Sequence, residues 1–302
     1  MALSNEHKVS IGLPVFNGED FLAHAIDSLL NQTYRNIELI ISDNASTDAT
    51  ADICHQYATL DPRVRYSRLP TNIGGVPNAL RVFSLASAPY FMWASHDDVW
   101  QPTYVEKCVR RLDADPGAVL ACSEMAIIDE SGAVQRLEET DHKADSPRPS
   151  ERLREFTDIY AITDASYGVT RTDALRQTRL YPLHPGGDKI LLAELALRGR
   201  FIRLPEYLYQ RRFHGGRSVK VYPDLRTRYA WVSPACAGKR MFPYWGYLWG
   251  YTTAVLRARL TFRERFACGI ILLRWVRNYA KELAQDLKPS PRSRPTSEPL
   301  LS

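Results

Sequence analysis

Cysteine is scarce and scattered. Five residues, Cys54, Cys108, Cys122, Cys236 and Cys268, occur among 302, never in a CxxC pair or a close Cys/His cluster, so neither a disulfide framework nor a structural zinc site is indicated. Also missing is any run of the roughly 18 to 20 apolar residues that a membrane-spanning helix needs. The opening stretch MALSNEHKVS holds no apolar segment of the kind that directs secretion. Together these absences lead to the expectation of a globular, cytoplasmic chain, and 45% hydrophobic residues suffice for one large core or two modest ones. Acidic residues are thin in one region. From Arg198 to Glu282 there are 18 Lys/Arg and 4 Asp/Glu, so the net charge of +5 hides a basic C-terminal third whose neighbour should be anionic.

Short apolar stretches at Val9–Leu13, Glu38–Ile41, Val64–Tyr66, Tyr90–Ala94 and Ala118–Cys122 have the length and composition of strands. Helical patterns separate them. Asp20–Leu30 sets Phe21, Ala25, Ile26, Leu29 and Leu30 on one face behind the capping candidates Asn17 and Asp20, and Thr47–Tyr57 follows with Ser46 as its expected N-cap. Strand and helix in alternation imply an α/β fold with a mostly parallel sheet covered on both faces. Such sheets bind ligands beyond the carboxyl ends of their strands. That rule selects the loops Pro14–Glu19, Asp43–Asp48, Asn72–Asn78 and Ser95–Trp100. Further on, Glu138–Ser150 reads as a mobile loop or lid. Helices are expected near Ser150–Tyr160 and Asp188–Arg198, extended chain at Phe201–Leu204 and Tyr207–Phe213, and two aromatic, basic helices across Pro243–Leu287. Residues 288–302 read as a disordered tail.

Ser95-His96-Asp97-Asp98 follows a strand directly, which places two adjacent carboxylates at a strand end. They repel each other unless a cation intervenes, and Mg2+ or Mn2+ held by one or two carboxylates while bridging phosphates is a common solution. The alternative is that one Asp caps the helix after Pro102 and the other is solvated. Asp43 closes the second strand, where a fixed acceptor suits the imide N–H of a uracil or thymine ring or a ribose hydroxyl. For Ser46 and Asp48, helix capping is the equal alternative. Asn72-Ile73-Gly74-Gly75 allows backbone to approach a ligand closely, or makes a simple turn.

The run VSIGLPVFNGEDFLAHAIDSLLNQTYRNIELIISDNASTDAT, then NIGGVPNAL, then FMWASHDDVW, resembles the nucleotide-binding half of family 2 glycosyltransferases of GT-A fold. The likeness covers about the first 125 residues. It implies that Pro14, Val15, Phe16 and Asp43 line the nucleobase pocket, with Asn17, Asn72 and Gly74 on the adjoining donor loops. It also implies that Ser95-His96-Asp97 stands where a D-x-D triplet holds ribose, metal and diphosphate, with Ser95 in place of the first Asp and Asp97 or Asp98 as metal ligand. GGDKILLAELALRGRFIRLPEYLYQRRFHGGRS resembles the acceptor-side block. There Asp188 matches the general base, Gly187 replaces the usual Glu before it, and His214 matches a residue that approaches the metal or diphosphate. No Q-x-x-R-W motif appears, which favours transfer of a single sugar.

The resemblance therefore implies a metal-dependent, inverting transferase using a UDP- or dTDP-sugar, with Mn2+ or Mg2+ as cofactor and a saccharide or lipid-linked saccharide as acceptor, in cell-surface polysaccharide or glycolipid synthesis. Residues 1–215 form the expected catalytic domain, split at about 125 into donor and acceptor halves, with a helical extension at 216–287. Its Trp, Tyr, Arg and Lys content suits an anionic membrane surface at the inner face of the membrane. The alternatives are packing on the catalytic domain or a homodimer contact; nucleic acid is not expected, since no binding motif accompanies the charge. A binding-only scaffold of an envelope polysaccharide assembly is the competing reading of the whole chain, since Ser95 and Gly187 depart from the pattern.

Overall fold

Apolar runs separated by polar breaks produce β1 (Val9–Val15), α1 (Leu22–Leu30), β2 (Ile37–Asp43), α2 (Thr50–Leu60), β3 (Val64–Arg68), α3 (Gly75–Ser84) and β4 (Tyr90–Trp93) in strict alternation. The chain continues through β5 (Val99–Trp100), α4 (Tyr104–Ala114), β6 (Ala118–Ile128), β7 (Val134–Glu138), α5 (Pro149–Glu155), β8 (Val169–Arg171), α6 (Thr172–Arg176), α7 (Gly187–Ala196) and β9 (Arg200–Arg212). Five helices follow, α8 (Ser218–Val221), α9 (Arg228–Val232), α10 (Pro243–Arg257), α11 (Phe262–Asn278) and α12 (Ala280–Leu287). This computed structural model describes residues 7–139, 144–160, 164–222, 224–225, 227–237 and 239–288.

The strands make one sheet in the order β3-β2-β1-β4-β8-β6-β9-β5, with β7 paired to β6. Pairing is parallel from β3 to β4 and again between β6 and β9, and antiparallel elsewhere. The N-terminal four strands are thus parallel as expected. The rest of the sheet is mixed because the short β8 runs back between β4 and β6. Val15 is in register with Asp43, and Gly12 with Trp93, so the loops after β1, β2 and β4 leave the sheet along one edge.

Side chains alternate across the sheet with period two. In β4, Phe91 and Trp93 enter a cluster with α3, α5 and α7, while Tyr90 and Met92 enter another with α1 and α4. A one-residue slip would exchange these faces, and each side chain of that size is worth about 1.5–3 kcal/mol when buried. The C-terminal helices belong to the first cluster. Tyr247, Tyr251, Cys268, Trp275 and Leu283 are buried in the same core as Phe91 and Trp93, so residues 243–287 pack on the sheet domain.

Several sequence expectations change. The second helix starts at Thr50, and Ser46 does not cap it; the Ala49 and Thr50 amides instead donate to Glu19 Oε2 (2.9 Å) and Asp48 Oδ1 (3.0 Å). Neither Asn17 nor Asp20 caps α1, whose N-cap is Phe21 with no side-chain bond. The loop expected to be a lid is anchored after residue 143. Ala144 is buried and its carbonyl accepts from Phe201 N at 2.8 Å, while Arg152 Nη1 donates to the Ser146 carbonyl at 2.7 Å. Residues 140–143 of that loop, and 289–302 of the expected tail, lie outside the described residues.

Trp275 is 3% exposed, donates from Nε1 to the Thr157 carbonyl at 2.9 Å and meets Tyr251 edge to face. Trp275→Ala should destabilise the whole protein by about 3–5 kcal/mol, seen as a lower midpoint of a single transition in urea. A separate early transition that leaves the donor half unmoved would mean that the C-terminal helices fold as their own unit.

Candidate active site

Asp97 and Asp98 are adjacent in sequence but point into different surroundings. Asp98 is buried. Its Oδ2 accepts from the Tyr209 hydroxyl at 2.5 Å and its Oδ1 from Arg212 N at 2.9 Å. Burial, and then the charge of Asp97, push its carboxyl up to about 7. Asp97 is half-buried. Its Oδ2 lies 2.8 Å from His214 Nε2, and Ser95 donates its hydroxyl to Oδ1. Burial opposes ionisation here too, but the His214 bond, the His96 charge and the Ser95 hydroxyl outweigh it and hold this carboxyl well below the usual carboxylate range.

Arg212 fastens this corner. It is 2% exposed, donates to the carbonyls of Asp97, Asp129 and Glu130, and lies over the Phe21 ring at 4.8 Å. Phe21 also packs on the His214 ring, with centroids 4.9 Å apart. His214 is thereby held against Asp97 from the β9 side.

On the other side of β1, Asp43 is fully buried. Its Oδ1 accepts from Ser46 N at 2.8 Å, and its Oδ2 from the Tyr66 hydroxyl at 3.0 Å, with Arg68 Nε at 3.4 Å. Asn17 has a left-handed backbone (φ 48°) and ties the first two loops together: its amide donates to Ser46 Oγ at 2.9 Å and its Oδ1 accepts from Thr47 N at 2.9 Å. Asn72 accepts from Asn44 Nδ2 and Gly74 N, each at 2.8 Å. Phe16 projects from the edge, Val15 is buried and Pro14 half-buried. His96 lies on Gly18, where a Cβ would stand 2.8 Å from the imidazole.

Gly74 needs its positive φ of 96°, but the space beside it is taken by the protein itself. A Cβ there would lie 2.6 Å from Ser233 Cα and 2.7 Å from the Val232 carbonyl. The close approach expected toward a ligand is therefore made toward the segment after α9.

Asp188 sits half-buried in the first turn of α7, with Oδ1 accepting from Lys189 N at 2.9 Å. Burial first, then the charge of Asp98, raises the Tyr167 phenol above its usual range. Gly187, where a Glu was expected, has no free space, since a Cβ would meet the Pro182 carbonyl at 3.0 Å. The turn before Asp188 is braced by α10. Tyr247 fills the space beside Gly186, and buried His184 accepts from Gly186 N at Nδ1 (3.0 Å) while Nε2 faces the Pro243 carbonyl (2.8 Å). Burial pushes His184 down to about 4, so the ring is neutral with its proton on Nε2.

The profile of glycosyl transferase family 2 matches residues 10–177, more than half of the chain. The chain belongs to glycosyl transferase family 2. An uncharacterised glycosyltransferase of Haemophilus influenzae is 27% identical to it over 222 residues, 71% of this chain and 68% of its own. One from Rickettsia prowazekii is 39% identical over 106 residues, so the match spans about a third of each (35% and 32%). Among solved structures, TarS 1–349 of S. aureus in complex with UDP-GlcNAc superposes with a TM-score of 0.67 at 14% identity, over 93% of this chain and 79% of that one. The mannosyltransferase PcManGT from Pyrobaculum calidifontis, in complex with GDP-Man and Mn2+, gives 0.55 at 15% identity over 92% and 76%. At these identities the likeness is one of fold, the GT-A fold.

For the transferase, the structure brings Ser95, Asp97 and His214 together and sets Asp43 along the same edge. Asp98, the other carboxylate expected at the metal, is buried with both oxygens accepting from protein donors. Tyr66, Arg68, Tyr167 and His184 escaped the sequence reading. Tyr66 and Arg68 carried a signal, being two apart on a strand and so on one face, but their use depends on the register Asp43↔Arg68.

Ionised Asp98 is costly in the metal-free protein. A carboxyl raised from its ordinary value near 4 to about 7 in the fold binds protons more tightly folded than unfolded, so stability falls as pH rises across that window. Urea unfolding of the wild type without metal should therefore give less stability at the upper end of the window than at the lower. Asp98→Asn should flatten this slope; an unchanged slope would assign it to other groups.

Proposed function

We propose that this transferase moves one sugar from a UDP- or dTDP-linked donor to an acceptor hydroxyl with inversion, in cell-surface polysaccharide or glycolipid synthesis at the inner face of a membrane. The observation that carries the reading is the pair Asp97 and His214, 2.8 Å apart. Nucleotide sugars in the TarS and PcManGT complexes support the donor class. Phe16, Asn17 and the loops bearing Asp43, Asn72 and Gly74 border the nucleotide in this reading, and Ser95 and His96 the ribose and diphosphate.

A divalent cation fits the donor set. Asp97 and His214 supply one carboxylate and one imidazole, and such an ion takes its remaining ligands from substrate phosphates and water. Mn2+ or Mg2+ held there would offset the charge of the departing diphosphate. Asp188 acts as general base: it takes the acceptor hydroxyl proton as that oxygen bonds to C1 and the bond from C1 to the diphosphate oxygen breaks. Attack from the opposite face inverts C1. The amides of the first turn of α7 favour negative charge at Asp188, and Tyr247 and His184 hold the turn that presents it.

Asp188→Asn should lower kcat by about 10²- to 10⁴-fold while UDP affinity stays unchanged in titration calorimetry, and NMR of the wild-type product should show the inverted anomer. Undiminished turnover in Asp188→Asn would remove the base assignment. If no nucleotide sugar turned over with Mn2+ or Mg2+ although UDP bound, the binding-only scaffold would replace the enzyme reading.

A further inference from the structure

Helices α10 and α11 each have two unlike faces. Inward, Tyr247, Tyr251, Ala254, Cys268 and Trp275 join the core. Outward, Trp245, Trp249 and Leu256 are exposed on α10, and Phe262, Phe266, Ile270 and Leu273 on α11, with Phe262 at 85% and Leu273 at 71%. The spacings i, i+4, i+11 and i, i+4, i+8, i+11 set each group in a single stripe. Trp245 and Trp249 also wall a cavity of about 370 Å³ with Leu183, Met241 and Phe242, so the apolar surface has depth as well as length.

The charges around the stripes are of one sign. Arg259, Arg263, Arg274, Arg277 and Lys281 are exposed. Of the three acids on α10, α11 and the adjoining α12, Glu264 turns to Ser150 N (2.9 Å) and Arg148, and Asp286 is buried against Tyr244 N (2.7 Å). Half-buried Glu282 remains. A twofold contact between copies sets the same patch on both sides and would press these cations together. A nucleic acid would satisfy the cations and leave the aliphatic stripe uncovered.

We propose that the outer face of α10 and α11 docks in the headgroup layer of an anionic lipid bilayer, with the apolar stripes at the acyl boundary and the arginines on lipid phosphates. No described helix is long and apolar enough to cross a membrane, and docking needs none. This surface lies apart from Asp97 and His214, and attachment does not depend on the proposed reaction. It reaches that reaction through α10, whose Tyr247 braces the turn before Asp188.

The test is flotation of the full chain with vesicles of phosphatidylcholine containing about one-third phosphatidylglycerol, against phosphatidylcholine alone, at low and high salt. The protein should float with the anionic vesicles only, less at high salt. F262S/F266S/L273S and R263E/R274E/R277E should each weaken partitioning by at least about tenfold, with UDP binding in vesicle-free buffer unchanged. No flotation, equal flotation with neutral vesicles, or indifference to both triple variants would overturn the proposal. So would a dimer in analytical ultracentrifugation that F262S/F266S/L273S converts to monomer. A chain that floats as expected and turns over no sugar counts against the proposed function and not against this surface.

Discussion

The buried carboxylate of Asp98 is the tie on which the site depends. It accepts from the Tyr209 hydroxyl and from Arg212 N, so it fastens the loop after β4, which belongs to the donor half, to the end of β9, which belongs to the acceptor half. Next to it in sequence on either strand stand Asp97 and, two residues past Arg212, His214. With Asp98 locked inward, its neighbour must face outward, and the end of β9 must bring the imidazole to it. Burying a carboxylate beside another is unfavourable unless hydrogen bonds compensate; here two do, and the surrounding arginines add to them.

The same logic extends outward through the loops. Asn17 joins the first loop to the second, Asn72 and Asn44 join the second to the third, and Gly74 lets the third pack under the segment after α9. The far end of that segment leads into α10, whose Tyr247 occupies the space beside Gly186. Donor loops and acceptor turn are therefore held by one continuous set of contacts. The C-terminal helices contribute to the catalytic half from their inner faces and leave their outer faces unpartnered.

Much of this was legible in the sequence. The first four strands and their loops announce themselves because each apolar run is bounded by polar residues, and the parallel order makes their carboxyl ends converge. What could not be read was anything decided by a partner distant in the chain. Asp97 and Asp98 look alike until Tyr209 and Arg212 are placed beside one of them. Ser46 resembles a helix cap, yet its hydroxyl goes to Asn17. Strand β9 looked like two extended pieces because Pro205, which lacks an amide hydrogen, interrupts it; the structure absorbs Pro205 and Glu206 in a register shift opposite Ser123 and Glu124. One long basic region read as two helices is three, with Thr261 capping α11 through Glu264 N. Composition marked these helices as amphipathic, but only packing reveals which aromatics face the core.

The central claim is that Asp43, Asp97 and Asp188 border a single cleft shared by a nucleotide and a cation. Its most direct test is a crystal of the protein grown with UDP and Mn2+, with data collected at the manganese absorption edge. The account predicts one anomalous peak between Asp97, His214 and the diphosphate, with the base along the edge that carries Asp43 and Phe16. A peak elsewhere, or a nucleotide bound away from that edge, would contradict it.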